Sequence, residues 1–284
     1  MLASVIALAL GHTVTIAAVG DVMLARWVGR RIERQGPAAM LRGARSALAG
    51  ADVVYGNLEC ALTSARASAR KDIVLHADPL GLLALKGFSV LSLVNNHALD
   101  CGQEGLADAV RRLRGAGIQP LEPAGLPETV NREGLRISFV GLMDLTGSHL
   151  PPEWRKTVAK ARRSCDVLVV GIHWGTEGTA IENTAQRIVA TQLASAGVDA
   201  VLGCHPHVLQ PLRVLRGPNG RRCLVAYSLG NFVFDSRPGP GRRSEILYLR
   251  AGRRGVTAYA TRKCTIKNGF PTASQGSLRW RNVK

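Results

Sequence analysis

Ser89-Val90-Leu91-Ser92-Leu93-Val94-Asn95-Asn96-His97 shows the chain's organising pattern in one place. A short, nearly continuous apolar run stops abruptly at two amides and an imidazole. Runs of this kind suit strands buried on both faces. In open α/β sheets the groups that bind ligands gather just beyond the carboxyl ends of such strands. The pattern recurs along the chain. Residues 14–19 lead to Gly20-Asp21, and residues 51–55 lead to Gly56-Asn57-Leu58-Glu59. Residues 166–172 lead to His173-Trp174-Gly175-Thr176-Glu177, and residues 198–202 to Gly203-Cys204-His205-Pro206-His207. Ser228-Leu229-Gly230-Asn231-Phe232 adds a sixth polar motif. Asp, Asn, Glu and His bind divalent metals and move protons, so five strands ending at chemistry imply one constellation gathered from the whole chain.

Helical spacing fills the intervals. Residues 103–116 place Leu106, Ala109, Val110 and Leu113 on one face and stop at Gly117; residues 180–196 repeat the pattern and stop at Gly197. Residues 42–48 and 153–163 carry weaker versions. This alternation predicts an α/β fold with much parallel sheet. Beyond Arg222 the helical pattern disappears, and residues 224–234, 245–250 and 255–266 read as consecutive strands of a second, partly antiparallel sheet. With no repeat or linker in 284 residues, the expectation is one domain over residues 13–270, flanked by an N-terminal tail at 1–12 and a basic C-terminal tail at 271–284. Residues 64–71 and 237–243 read as mobile loops beside the site.

The formal charge of +17 has two readings. Arginine is scattered rather than clustered, which fits a compositional bias; alternatively, a basic surface attracts a polyanion through fields that salt weakens. Thirteen aromatic residues with no platform among the basic ones argue against single-strand nucleic-acid binding. Six cysteines without C-x-x-C spacing read as buried free thiols, Cys204 among them. The apolar residues 1–10 are too short to span a bilayer and lack the cationic start of a signal peptide. The cytoplasm is therefore favoured, with an extracytoplasmic location behind an incomplete signal as the alternative.

The ordered motifs Gly-Asp, Gly-Asn-Leu-Glu, Asn-Asn-His-x-x-Asp, His-Trp-Gly, Gly-x-His-Pro-His and Ser-Leu-Gly-Asn-Phe-Val-Phe-Asp resemble the CapA family of capsule-synthesis proteins, associated with poly-γ-glutamate production. That family is similar in fold to the calcineurin-like metallophosphoesterases. The resemblance implies a four-layer α-β-β-α sandwich of two mixed sheets with two divalent ions, manganese, iron or zinc, between them. It implies that Asp21 ligates the first metal, with Asn57 and Glu59 where a bridging carboxylate normally stands. Asn96, His173 and His205 would serve the second metal, His207 would return to the first, and His97 would be the general acid. Asn95, Asp100, Trp174, Glu177 and Asn231 fall to substrate binding or to support of the ligands. The implied partners are a polyanionic polymer or a phosphorylated small substrate, with proteins of a capsule-synthesis complex.

Two departures stand out. Met23 occupies a position where that superfamily carries a histidine, and the neutral Asn57 replaces a bridging aspartate. Bland roles compete for several residues: Asp21 and Asn96 as helix caps, Asn231 in a tight turn, Trp174 in a core, Glu177 as a histidine's orienter rather than a ligand. His12, His76 and His149 read as structural. The functional alternatives are a metal-dependent hydrolase and a non-catalytic polyglutamate-binding component of a synthesis or export complex.

Overall fold

A computed structural model describes residues 13–68, 70–123, 125–147, 150 and 152–284. The expected N-terminal tail, His12 and His149 lie outside the described residues. The elements run β1 (Val14–Val22), α1 (Arg26–Gln35), α2 (Arg45–Leu48), β2 (Val53–Leu58), the short pair β3 (Ala61–Leu62) and β4 (His76–Ala77), β5 (Val90–Ser92), α3 (Gly102–Gly115), β6 (Gln119–Leu121), β7 (Glu128–Arg132) and β8 (Leu135–Asp144). They continue with α4 (Trp154–Ser164), β9 (Val167–Trp174), α5 (Thr184–Ser195), β10 (Ala200–Cys204), β11 (Leu212–Arg216), β12 (Arg222–Ala226) and β13 (Asn231–Val233). The chain closes with β14 (Arg243–Gly252), β15 (Gly255–Lys267), β16 (Phe270–Ala273) and β17 (Arg281–Asn282).

The fold is α/β with two mixed sheets. The first has the order β16-β15-β14-β1-β2-β5-β6, with β13 also on β1 and β17 also on β15; the second has the order β11-β12-β10-β9-β8-β7. In the first, β1, β2, β5 and β6 pair in parallel, whereas β14, β15 and β16 add antiparallel strands. In the second, β8, β9, β10 and β12 are parallel and β7 and β11 are antiparallel edges.

Side-chain alternation along the strands explains the packing. Ile16, Ala18, Val53, Tyr55 and Val90 of the first sheet form one hydrophobic cluster with Ile137, Phe139, Val169 and Leu202 of the second. Tyr55 stacks on Phe139 with ring centroids 5.9 Å apart. The alternate residues of the first sheet, Ala17, Val19, Val54 and Leu91, pack with Val28 and Ile32 of α1 and Val110 and Leu113 of α3. Those of the second, Val140, Leu168, Val170 and Val201, pack with Val158 of α4 and Leu193 of α5. Among the described residues no helix is long and apolar enough to cross a membrane, and all six cysteines are free and buried.

The C-terminal strands correct the expected sheet. Residues 224–234 are two strands, because Gly230, at φ +63°, turns the chain. The strand before the turn, β12, pairs with β10, whereas the strand after it, β13, pairs with β1. Strands β14 and β15 then extend the first sheet rather than founding their own. The segment 271–284, expected as a tail, supplies strand residues that hydrogen-bond to β15. Its Ala273 and the preceding Phe270 are buried, which basic composition alone does not disclose. Helix α5 begins at Thr184 rather than at 180, since Asn183 and Gln186 form a reciprocal capping box that fixes its start.

Candidate functional site

The polar motifs meet at the carboxyl ends of the parallel strands. Cross-strand register aligns Asp21 with Asn57 and with Asn231, and Asn57 with Ser92. On the facing sheet, His173 is in register with Met143 and Cys204. Gly20 is what lets the last motif touch the first: a side chain there would lie 1.8 Å from the Gly230 carbonyl oxygen. In its absence the Asp21 amide donates to that oxygen at 3.0 Å. His205 and His207 both have positive φ, at +97° and +58°, backbone strain of the kind that collects at binding sites.

Asp21 is at the centre and fully buried. Its Oδ1 accepts from Asn57 Nδ2 at 2.8 Å, and its Oδ2 lies 3.2 Å from His207 Nδ1 and 3.4 Å from the His205 amide. Asn57 reaches in the other direction too, with Nδ2 3.4 Å from His173 Nδ1 and Oδ1 accepting from Asn95 Nδ2 at 3.1 Å. Both ends of the Asn57 amide are thus committed to orienting neighbours. Asn95 also donates to the Leu58 carbonyl and accepts from the His97 amide, fastening its loop to β2. Asn96 Oδ1 lies 2.9 Å from His173 Nε2. Asn231 Oδ1 lies 2.9 Å from His207 Nδ1, while its Nδ2 donates to the His207, Gly241 and Ser236 oxygens.

Glu59 is the exception to this satisfaction. It is 1% exposed, yet neither carboxylate oxygen has a hydrogen-bond partner among the described residues, and His205 Nδ1 is likewise buried and unpartnered. Glu59 Oε1 is 3.8 Å from both His173 Nε2 and His207 Nε2. Three overlapping groups of potential ligand atoms, each mutually within 4.8 Å, result: Glu59, His173 and His205; Asp21, Glu59 and His207; Glu177, His205 and His207. Orphaned buried acceptors mixed with imidazoles are the donor set that divalent ions such as manganese, iron or zinc accept, so these residues fit a metal.

The charges separate two adjacent carboxylates. Burial pushes Asp21 up, but the hydrogen bond and charge of His207 outweigh it and hold the group at about 2. Glu59, raised by burial and then by Asp21, lies well above the usual carboxylate range. Burial opposes protonation of His207, but the Glu59 and Asp21 carboxylates prevail and push it up to about 10. His173 and His205 are pulled down by burial, which keeps their nitrogens available as ligands. Burial also raises the Cys204 thiol well above its ordinary value and keeps it protonated.

His97 stands apart from the ligand groups. Its Nδ1 is 2.8 Å from Asp100 Oδ2, which also accepts from the Leu75 amide. With Nδ1 engaged, Nε2 is the nitrogen available to an incoming group. Burial lowers its pKa despite Asp100. Lys71 joins this couple through the Asn96 carbonyl at 2.7 Å, His97 Nδ1 at 3.3 Å and an ion pair with Asp100. Sequence alone does not single out Lys71 or Arg26, although Asp235 closes the last of the quoted motifs; a basic loop is expected near the site, but spacing gives no sign of which cation reaches in.

Two expectations change. Trp174 does not face the cleft: one residue beyond His173 on an alternating strand, it points to the opposite face of β9, donates to the Tyr227 carbonyl at 2.8 Å and stacks on Tyr227. Gly203 makes room there, since a side chain would lie 2.6 Å from the Trp174 indole nitrogen. Met23 is not a failed ligand at the site either; it is fully buried in the helix-side cluster, where its sulfur accepts from the Ala25 amide. Neither Asp21 nor Asn231 plays its bland role, since both are strand residues bound to His207. Glu177 is exposed, within reach of His205 and His207.

The family model described as "Bacterial capsule synthesis protein PGA_cap" matches residues 15–236. The PGA biosynthesis protein CapA of Bacillus subtilis (strain 168) is 28% identical, with 93% of this chain and 75% of that protein aligned. The capsule biosynthesis protein CapA of Bacillus anthracis is 31% identical, covering 93% of this chain and 70% of that one. A probable polyglutamine synthesis accessory protein of Mycobacterium tuberculosis is 28% identical over 70% of this chain. A crystal structure of a hypothetical protein from Thermus thermophilus shares the fold with a TM-score of 0.50 at 17% identity, covering 95% of this chain and all of that one.

Proposed function

The chain belongs to the bacterial capsule synthesis protein PGA_cap family, and from that premise we propose that it serves capsule or poly-γ-glutamate synthesis as a metal-dependent hydrolase of a phosphoester or related polyanionic substrate. The observation that carries the reading is Glu59, a buried carboxylate with both oxygens unpartnered among the described residues and three histidines around it. Leaving such a group unsatisfied is costly; a bound cation removes the cost. The alternation of two helix-side clusters with one inter-sheet cluster supports a metallophosphoesterase-like, four-layer reading of the α/β fold, within a single domain that includes the strands of residues 270–282.

In this reading Asp21, Glu59, His173, His205 and His207, with Asn96 and Glu177 at the margin, hold one or two divalent ions. Bound ions supply Lewis-acid polarisation of a substrate oxygen and neutralise developing negative charge. Asn57 and Asn231 keep Asp21 and His207 in place. His97, oriented by Asp100, presents Nε2 to the leaving or attacking oxygen and moves its proton. Proteins of a capsule-synthesis complex are the expected partners, in line with the names of the relatives.

One observation favours a second reading. With Met23 in the core and Asn57 committed as a spacer, the site has one imidazole and one negative charge fewer than the superfamily pattern implies. A non-catalytic component that grips polyglutamate fits that weaker donor set. Elemental mass spectrometry on wild type and an Asn96→Ala/His205→Ala variant, with phosphodiester hydrolysis assayed on the same samples, decides between them. Metal and hydrolysis lost together in the variant establish the hydrolase. Wild type that takes up no metal even after reconstitution sinks it.

A further inference from the structure

We infer that Arg26 is the anion-recognition residue of the cleft, exchanging its internal partner Asp235 for a carboxylate or phosphate oxygen of the substrate. The inference rests on the polyanionic-substrate reading above and deepens it.

Arg26 follows a run of residues, Val22 to Ala25, that is buried to within 1%, yet its own side chain is 39% exposed. The guanidinium lies 5.6 Å from the Phe234 ring centroid, and the Phe234 ring is 4.8 Å from that of His207. One aromatic ring therefore separates a partly solvated cation from the ligand groups. Phe234 fixes the height of the guanidinium, as stacking on an aromatic face does for arginine.

Three other cations near the cleft are engaged elsewhere. Lys71 serves Asp100 and the Asn96 carbonyl, and Arg242 donates to the Ser236 carbonyl. Arg31 lies over Phe270 and donates to the carbonyls of Lys267 and Asn268. Among the described residues, only Arg26 of these three arginines pairs with a carboxylate, Asp235, itself 18% exposed. An arginine held on a carboxylate is already placed for another: the guanidinium N–H that donates to Asp235 can donate to a substrate carboxylate or phosphate oxygen instead, and its planar fork can engage two oxygens at once.

Backbone strain points the same way. Arg26 has φ +54°, a conformation in which glycine would be unstrained. A half-exposed ion pair contributes too little to offset such strain, so a purely structural Arg26–Asp235 pair does not explain why arginine occupies the position.

The test is fluorescence anisotropy with fluorescein-labelled poly-γ-glutamate at low salt, with binding of inorganic phosphate followed in parallel by phosphorus NMR. The proteins are wild type, Arg26→Ala, Arg26→Lys, Arg26→Gly and Asp235→Asn. Metal content and unfolding midpoint are measured on each. Arg26→Ala is expected to weaken binding of at least one probe about tenfold or more with metal content unchanged, and Arg26→Lys to weaken it less. Arg26→Gly, which relieves the strained φ, guards against misfolding and should lose binding equally. Asp235→Asn should tighten binding several-fold by removing the competing carboxylate. Dependence on Arg26 for polyglutamate alone identifies a carboxylate ligand, and for phosphate alone a phosphoryl one; either supports the assignment. If wild type binds a probe and Arg26→Ala binds it equally well, or if Arg26→Ala and Asp235→Asn weaken binding alike, the inference fails while the polyanion reading stands. If wild type binds neither probe, both fall.

Discussion

Two buried carboxylates at opposite ends of the strands, Asp199 and Glu59, face opposite circumstances. Asp199, just before β10, is wholly buried and completely satisfied: Arg162 donates at 2.8 Å, Arg221 at 2.6 Å and the Leu168 amide at 2.8 Å. Glu59, just after β2, is as deeply buried with no hydrogen bond to either oxygen among the described residues. The same chemistry is thus used in two ways. A carboxylate whose hydrogen bonds are complete is a fastener, here tying α4, β9, β10 and the 217–222 turn together. A carboxylate left incomplete among imidazoles is, on the proposed reading, a seat for a cation.

The largest expected effect tests the fastener. Asp199→Ala removes four charge-assisted hydrogen bonds, two of them from Arg221, and leaves the Leu168 amide unpaired, so denaturant unfolding should show a loss of about 3 kcal/mol. Metal uptake by the folded fraction should be unchanged. A drop in metal affinity to match would break the division between the two ends.

The next effect tests the seat. Manganese(II) at about a hundred times its dissociation constant should stabilise wild type by about 2.7 kcal/mol through mass action. In Glu59→Gln that increment should vanish, whereas the stability measured in chelator should shift by less than about 1 kcal/mol, because the amide replaces a carboxyl that had no bonds to lose. Destabilisation of this variant by as much as Asp199→Ala would make Glu59 a second fastener.

A smaller effect calibrates both against a surface carboxylate. Asp108 is bound by Arg112, Arg111 and Thr63 near the surface of α3. Burial pushes its pKa up, but the Arg112 and Thr63 hydrogen bonds outweigh that and set it below the ordinary value. A depressed carboxylate contributes stability that is present above its unfolded pKa and is lost as pH falls through the folded one. Asp108→Asn should therefore lower stability at neutral pH by about 0.5 kcal/mol, with the difference from wild type closing below about pH 4. An equal gap at neutral and strongly acidic pH would show that charge is not the cause.

The parallel strands and most site residues were legible because burial on both faces leaves an unbroken apolar run and because the polar motif at its end is a local signal. Trp174 was ambiguous for the same reason: in a run buried on both faces, neighbours of equal polarity give no clue to which of them faces the cleft. Helix α1 escaped because only Val28 and Ile32 of its ten residues are buried, the rest being charged, polar or partly exposed. The sheet exchange at Gly230 was hidden because apolar runs on both sides of the Ser228–Asn231 motif look the same whether they pair with one sheet or with two. Arg26 was illegible for a different reason, since its partners are Phe234 and Asp235, and only the fold brings those positions together.

The crossing at Gly230 also has a consequence in time. The Asp21 carboxylate and the His205 amide are 184 positions apart in the chain, and Asn231, which holds His207, comes later still. At about 5–20 residues per second of synthesis, Asp21 is out of the ribosome for roughly 10–40 s before its partners exist. Strand β1 can pair with β2 in that interval, but the candidate ligand groups stay incomplete. On the proposed reading, loading waits for chains whose translation has passed His207, and a chain interrupted earlier carries Asp21 and Glu59 without the histidines that complete those groups.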